Sequence, residues 1–149
     1  MFMCNNTNSL ENELPKDLIK SFFQDYENDI DLAVSNLFAT NSWVEDDNES
    51  IKDLKEQLNQ TTKVLGDYEG FELIVIRNAG KSNALKVYSY IVKYDRQPLR
   101  FNFVFYKFKN QWRIHGFQFD ADFDTELEES TRLFFLDNSF SNDLYEKNY

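Results

Sequence analysis

Leu99-Arg100-Phe101-Asn102-Phe103-Val104-Phe105-Tyr106-Lys107-Phe108 is the stretch that decides the fold. Leu99, Phe101, Phe103 and Phe105 fall on one side of an extended chain and Arg100, Asn102, Val104 and Tyr106 on the other, because successive side chains of a strand point to opposite faces. A strand from Leu99 to Phe108 is predicted, with a phenylalanine face that needs a core. Upstream, Asp95-Arg96-Gln97-Pro98 reads as a turn after a second apolar run from Leu85 to Tyr94. Asn78-Ala79-Gly80-Lys81-Ser82-Asn83 reads as a turn after Phe71-Glu72-Leu73-Ile74-Val75-Ile76. Downstream the chain reverses near Asn110 into Trp112 to Phe119. Links this short make an antiparallel meander of four strands the expected topology. Gly70 and Gly116, inside strands, predict bulges or sharp curvature. Strict alternation puts Phe117 and Phe119 opposite Trp112 and Ile114, so both faces of the sheet call for cover: helices on one, a second subunit or the tail on the other.

The chain before the sheet has helical period. From Pro15, suited to a first helical turn, Leu14, Leu18, Ile19, Phe22, Phe23 and Tyr26 form one stripe ending near Glu27. Asp29 is placed to cap a second helix carrying Ile30, Ala33, Val34, Leu37 and Phe38, which Thr40-Asn41-Ser42 stops. After the acidic loop Glu45-Asp46-Asp47-Asn48-Glu49, Ser50 and Asp53 resemble a capping box for a third helix with Ile51, Leu54 and Leu58. Residues 1–13 read as a polar leader, 14–136 as one domain and 137–149 as a polar tail, with Asp124 as a cap and Leu133-Phe134-Phe135-Leu136 as anchors near the end.

Composition narrows the function classes. The 149 residues hold 15 Phe, 8 Tyr and 2 Trp against 4 Gly and 2 Pro, enough aromatic surface for a single core without a metal or disulfide staple. Cys4 alone excludes an internal disulfide, and no Cys or His partner stands at metal-ligand spacing. No apolar run approaches transmembrane length, so the chain as written reads as cytoplasmic. Cys4 followed by Asn5-Asn6-Thr7-Asn8-Ser9 supplies the alternative, an envelope lipoprotein whose start is clipped or displaced, although Phe2 and Met3 are not the small residues such a site prefers. The net charge of −10 disfavours nucleic acid, yet residues 1–50 hold 2 basic against 11 acidic side chains, 51–119 hold 12 against 6, and 120–149 hold 2 against 9.

Two N-terminal helices, a short extended piece at Trp43-Val44, a third helix and a meander resemble the nuclear transport factor 2-like superfamily of cystatin-like, cone-shaped α+β domains. The stretches Phe22-Phe23-Gln24-Asp25-Tyr26, Leu37-Phe38-Ala39-Thr40-Asn41, Leu65-Gly66-Asp67-Tyr68-Glu69-Gly70 and Trp112-Arg113-Ile114-His115-Gly116-Phe117 carry the likeness, which points to uncharacterised bacterial members and covers roughly residues 15–120. The resemblance implies three helices packed on a strongly curved four-stranded antiparallel sheet. Its members include isomerases, dehydratases, hydrolases, transport factors and ligand-binding modules, so fold alone does not assign an activity.

Candidate sites follow from residue chemistry. Tyr26, Trp43, Tyr88, Tyr90 and Phe103 are expected to line an aromatic pocket between helices and sheet. Arg100 and Arg113, on neighbouring strands, are candidates to grip a carboxylate in two-pronged fashion. Val104, Tyr106 and Phe117 are candidates for a homodimer face. His115 falls opposite Trp112 and Ile114 by parity, away from the interior. Asp120-Ala121-Asp122-Phe123-Asp124 has the opening of a calcium loop, but Thr125 and Thr131 stand where that loop needs Gly and a bidentate Glu. No catalytic residue, cofactor or metal is assigned. The reading favours a noncatalytic binding or accessory domain for a small apolar or carboxylate-bearing ligand. An isomerase- or polyketide-cyclase-like enzyme using a buried Asp, His or Tyr, and a structural protein-interaction domain, are the alternatives.

Overall fold

The decisive strand, β3 (Leu99–Phe108), lies between β2 (Leu85–Tyr94) and β4 (Gln111–Asp120), with β1 (Tyr68–Ala79) beyond β2. All three pairings are antiparallel, in the order β1-β2-β3-β4, and the sheet is open. The structure is a computed structural model and describes residues 14–45 and 48–132. The leader with Cys4, the anchors at Leu133 to Leu136 and the polar tail lie outside those residues.

Three helices precede the sheet: α1 (Pro15–Tyr26), α2 (Ile30–Ala39) and α3 (Glu49–Lys63). Pro15 opens α1 with its fixed φ and no donor to waste. Asp29 caps α2 by accepting the Leu32 backbone N–H at 3.0 Å, as the sequence predicts. The cap of α3 is Asn48, which accepts the Ser50 N–H at 2.8 Å, so the helix starts one residue before Ser50. A fourth helix, α4, occupies residues 124–132. The described residues are thus α+β with four helices: the three expected before the meander, and one after it at Asp124, where the sequence offers a cap.

The core sits between α1 and the inner face of the sheet. Phe101, Phe103 and Phe105 of β3 have no exposed surface, and Phe22 and Phe23 of α1 meet the first two. The Phe22 ring lies 5.1 Å from Phe103, and Phe103 lies 5.0 Å from Phe117, the spacing of rings in direct contact. Phe23 stacks on Phe71 at 3.8 Å, which extends the contact to β1. Each such side chain contributes roughly 1.5–3 kcal/mol through removal from water.

Irregularities in the strands direct side chains that simple alternation misplaces. Between the pairs Val104↔Gly116 and Phe105↔Ile114, His115 is an extra residue. This bulge reverses the parity of β4, so Phe117 and Phe119 join Ile114 on the inner side instead of opposing it. Two further register shifts, at Glu69 and Ile74, bulge β1. Gly66 connects α3 to β1 at φ +84°, and a Cβ there would stand 2.9 Å from Asp95 Cβ, so the turn requires glycine twice over. The same turn is tied to the β2–β3 loop by Arg96 N–H to Leu65 C=O at 2.9 Å and Asp95 N–H to Asp67 C=O at 3.0 Å.

Candidate functional site

The expected interior pocket is where the rings pack most tightly. Tyr26, Tyr88, Tyr90 and Phe103 are all buried in the core, and Phe22, Phe101 and Phe117 occupy the space among them. Trp43, assigned to the same pocket from sequence, is 82% exposed and lies outside it. The reason is local: the turn after α2 is pinned to β4 from the side. Thr40 Oγ1 accepts the Ile114 N–H at 2.9 Å and Asn41 Nδ2 donates to the Ile114 carbonyl at 2.8 Å. Asn41 Oδ1 also accepts the Trp43 N–H at 3.1 Å, which sets the indole beside the bulge at His115.

The two arginines do not act together. Arg100 pairs across the strands with Asp120, whereas Arg113 pairs with Tyr106, six residues further along β3, a separation of roughly 20 Å. Arg100 has only 18% of its side chain exposed and bridges Asp120 at 3.1 Å and Glu126 of α4 at 3.3 Å. Glu129 approaches Arg77 of β1 at 3.7 Å, so α4 crosses the outer face from β3 toward β1. Arg100 therefore fastens the C-terminal helix. Of the residues expected at a homodimer face, Val104 and Tyr106 are on the outer side and half-buried, while Phe117 is turned into the core by the bulge.

What remains open on the outer side is a groove of about 510 Å³ between the 41–43 turn and the β3–β4 hairpin. Trp43, Leu85, Tyr106, Arg113, Ile114 and His115 line it. The Arg113 guanidinium is held 5.5 Å above the Tyr106 ring and 5.4 Å above Phe108, a cation kept in place by aromatic faces. Two sequence candidates, Trp43 and Arg113, thus meet Tyr106 at one place. His115 joins them on the exposed side, away from the interior as alternation from Ile114 places it.

A second groove, of about 440 Å³, opens at the other end of the sheet over three tyrosines. The Tyr26 and Tyr94 hydroxyls form a buried hydrogen bond, and the Tyr68 ring lies 5.7 Å from Tyr26 and 5.8 Å from Tyr94. Burial pushes the Tyr94 phenol up to about 12; the shared bond pulls against that rise, while burial first and Tyr94 second drive Tyr26 well above its ordinary value. At neutral pH both are uncharged hydroxyls that donate or accept, without a nucleophile between them. Two of the four carboxylates that line this groove are engaged locally: Asp29 caps α2, and Asp31 accepts from Asn59 Nδ2 at 2.7 Å; Glu27 and Asp67 are the other two.

Among the described residues no group of three or more His, Cys, Asp or Glu side chains is arranged to hold a metal, and no helix is long and apolar enough to cross a membrane. Comparison with protein-family models, with curated proteins and with solved structures returned no match.

Proposed function

We propose that this chain is a noncatalytic binding or accessory domain whose ligand sits in the groove between Trp43, Tyr106 and Arg113. One observation carries the reading: an indole left 82% exposed beside a guanidinium already oriented over two rings. Large aromatic side chains seldom stay in water without a partner, and a stacked arginine is preorganised for a carboxylate. The ligand class that fits is a carboxylate attached to an apolar or aromatic body. The order of helices and strands and the bulged meander support a cone-shaped, nuclear transport factor 2-like domain, with the ligand outside the cone because phenylalanine fills the inside.

Trp43 reports on its own groove. Titration of aliphatic and aromatic carboxylates is expected to quench or shift indole fluorescence, and Trp43→Ala is expected to remove the response while the Trp112 signal stays. Absence of any change across such a set, or an undiminished change in the Trp43→Ala protein, rejects the reading.

The Tyr26–Tyr94 pair favours a second reading, an isomerase- or cyclase-like enzyme that polarises a carbonyl oxygen with two buried hydroxyls. That chemistry also requires a base in reach; of the carboxylates in the same groove, Asp29 and Asp31 are committed to the α2 cap and to Asn59, which leaves Glu27 and Asp67. Turnover of an enolisable ketone that disappears in Tyr94→Phe is the result that would promote this reading over the first.

A further inference from the structure

The two ends of the sheet carry opposite charge. No Asp or Glu occurs in residues 73–94 or 96–119, although the whole chain holds 26 acidic side chains. Both outer hairpin turns, at residues 80–84 and 109–110, fall at the same end, together with Lys81, Lys86, Lys107, Lys109 and Arg113. Among the described residues none of these five has a carboxylate partner, whereas Lys93 has Glu72, Arg100 has Asp120 and Glu126, and Arg77, set back from the same turn on β1, has Glu129. Glu27, Asp29, Asp31, Asp67, Asp95 and Asp120 gather at the opposite end.

Aromatic rings hold the unpaired cations in place. Lys86 and Lys107 stand 5.4 and 5.6 Å from the Trp112 ring on one side of the sheet. On the other, Lys109 and Arg113 each stand 5.4 Å from Phe108. The turn that presents them is itself costly: Lys109 and Asn110 adopt φ +47° and +64°, a two-residue hairpin for which Asn-Gly is the natural sequence. A lysine in that left-handed position gives up stability to put a cation at the tip.

We infer that this end of the sheet docks an acidic peptide segment of a partner protein, one that alternates Asp or Glu with large apolar side chains. The carboxylates would meet the ring-held cations, and an apolar side chain would enter the groove beside Trp43; the inference therefore rests on the binding reading above and names its partner. Two observations favour a peptide over other anions. The Trp112 and Phe108 rings at the tip are engaged by the protein's own cations, which leaves Trp43 as a single platform where single-strand binding stacks successive bases. A membrane or a long polyanion would also confront the rest of a chain with net charge −10, whereas a short segment meets only the tip, within a screening length of about 8 Å.

The test uses the full chain and fluorescently labelled synthetic peptides that alternate Glu with Leu and Phe. Binding is expected, weakening as salt rises and absent for the Gln-substituted peptide. Lys86→Gln with Lys107→Gln should weaken it by about tenfold or more, and Arg96→Gln, at the opposite end, should leave it intact. Lys109→Asn is expected to raise the melting temperature and lower the affinity together, a pairing that damage to the fold would not produce. Tighter binding of a single-stranded oligonucleotide or of phosphatidylserine vesicles, or peptide binding indifferent to the lysine changes, overturns the inference. So does the absence of peptide binding; if small carboxylates still quench Trp43, the groove reading stands without the partner. Peptide binding lost with the lysines but unchanged in Trp43→Ala keeps the tip and sinks the groove.

Discussion

The inner and outer faces of this sheet are made from alternate residues of the same strands, and they have opposite characters. On β3 the inward set is Leu99, Phe101, Phe103 and Phe105, each at most 1% exposed, and the outward set is Arg100, Asn102, Val104 and Tyr106, all half-buried. The inner face gains its free energy by excluding water and every other occupant. On the outer face, Arg100 and Glu126 hold a helix, Ser89 Oγ meets Asn102 Oδ1 at 2.5 Å, and the end beyond α4 is left to cations and rings. Recognition falls to the face that packing left unfinished.

The contrast can be broken by substitution. Phe103→Ala should cost roughly 3–5 kcal/mol in urea denaturation, since the cavity would open where five rings converge; a loss below about 1 kcal/mol would mean that the inner face is loosely packed. Tyr94→Phe should cost about 1–3 kcal/mol because it strands the Tyr26 hydroxyl, and Tyr26→Phe combined with Tyr94→Phe should recover part of that loss. Arg100→Met should cost roughly 1–2 kcal/mol and speed amide exchange in residues 124–132 more than in β3, which tests whether the outer face is fastened through this side chain. Trp43→Ala should change stability by no more than about 0.5 kcal/mol, because the indole is almost wholly in water.

Alkaline pH sharpens the comparison through the tyrosines. Their folded pKa values lie above the ordinary 10.0, so the folded state binds more protons than the unfolded state between about pH 10 and 12. The tyrosines' contribution to stability is fully present below pH 10 and is lost as pH rises through 12. A urea midpoint that drops across this window in the native protein, but less in the Tyr26→Phe and Tyr94→Phe double variant, is the expected result.

Much of the fold was legible because it is written in short-range pattern. The period of two in β3, the two strand-linking turns around it and the Asp29 cap each depend on neighbours within a few residues. The bulge at His115 was legible only as a glycine in a strand, and its consequence, the turning of Phe117 into the core, depends on pairing with Val104 and Phe105. The Tyr26–Tyr94 bond joins residues 68 apart and leaves no local trace. Arg100 looked like half of an anion grip because adjacent strands were known but their register was not. Trp43 looked interior because composition cannot tell a core indole from one that Thr40 and Asn41 hold outside.

Those two side chains have one more effect. By occupying both the N–H and the C=O of Ile114, they close β4 at the point where an incoming extended chain would begin to add. The far edge, β1, is interrupted by extra residues at Glu69 and Ile74 and carries Arg77. A sheet this rich in phenylalanine would otherwise be a template for polymerisation, and its margins are built to refuse additional strands.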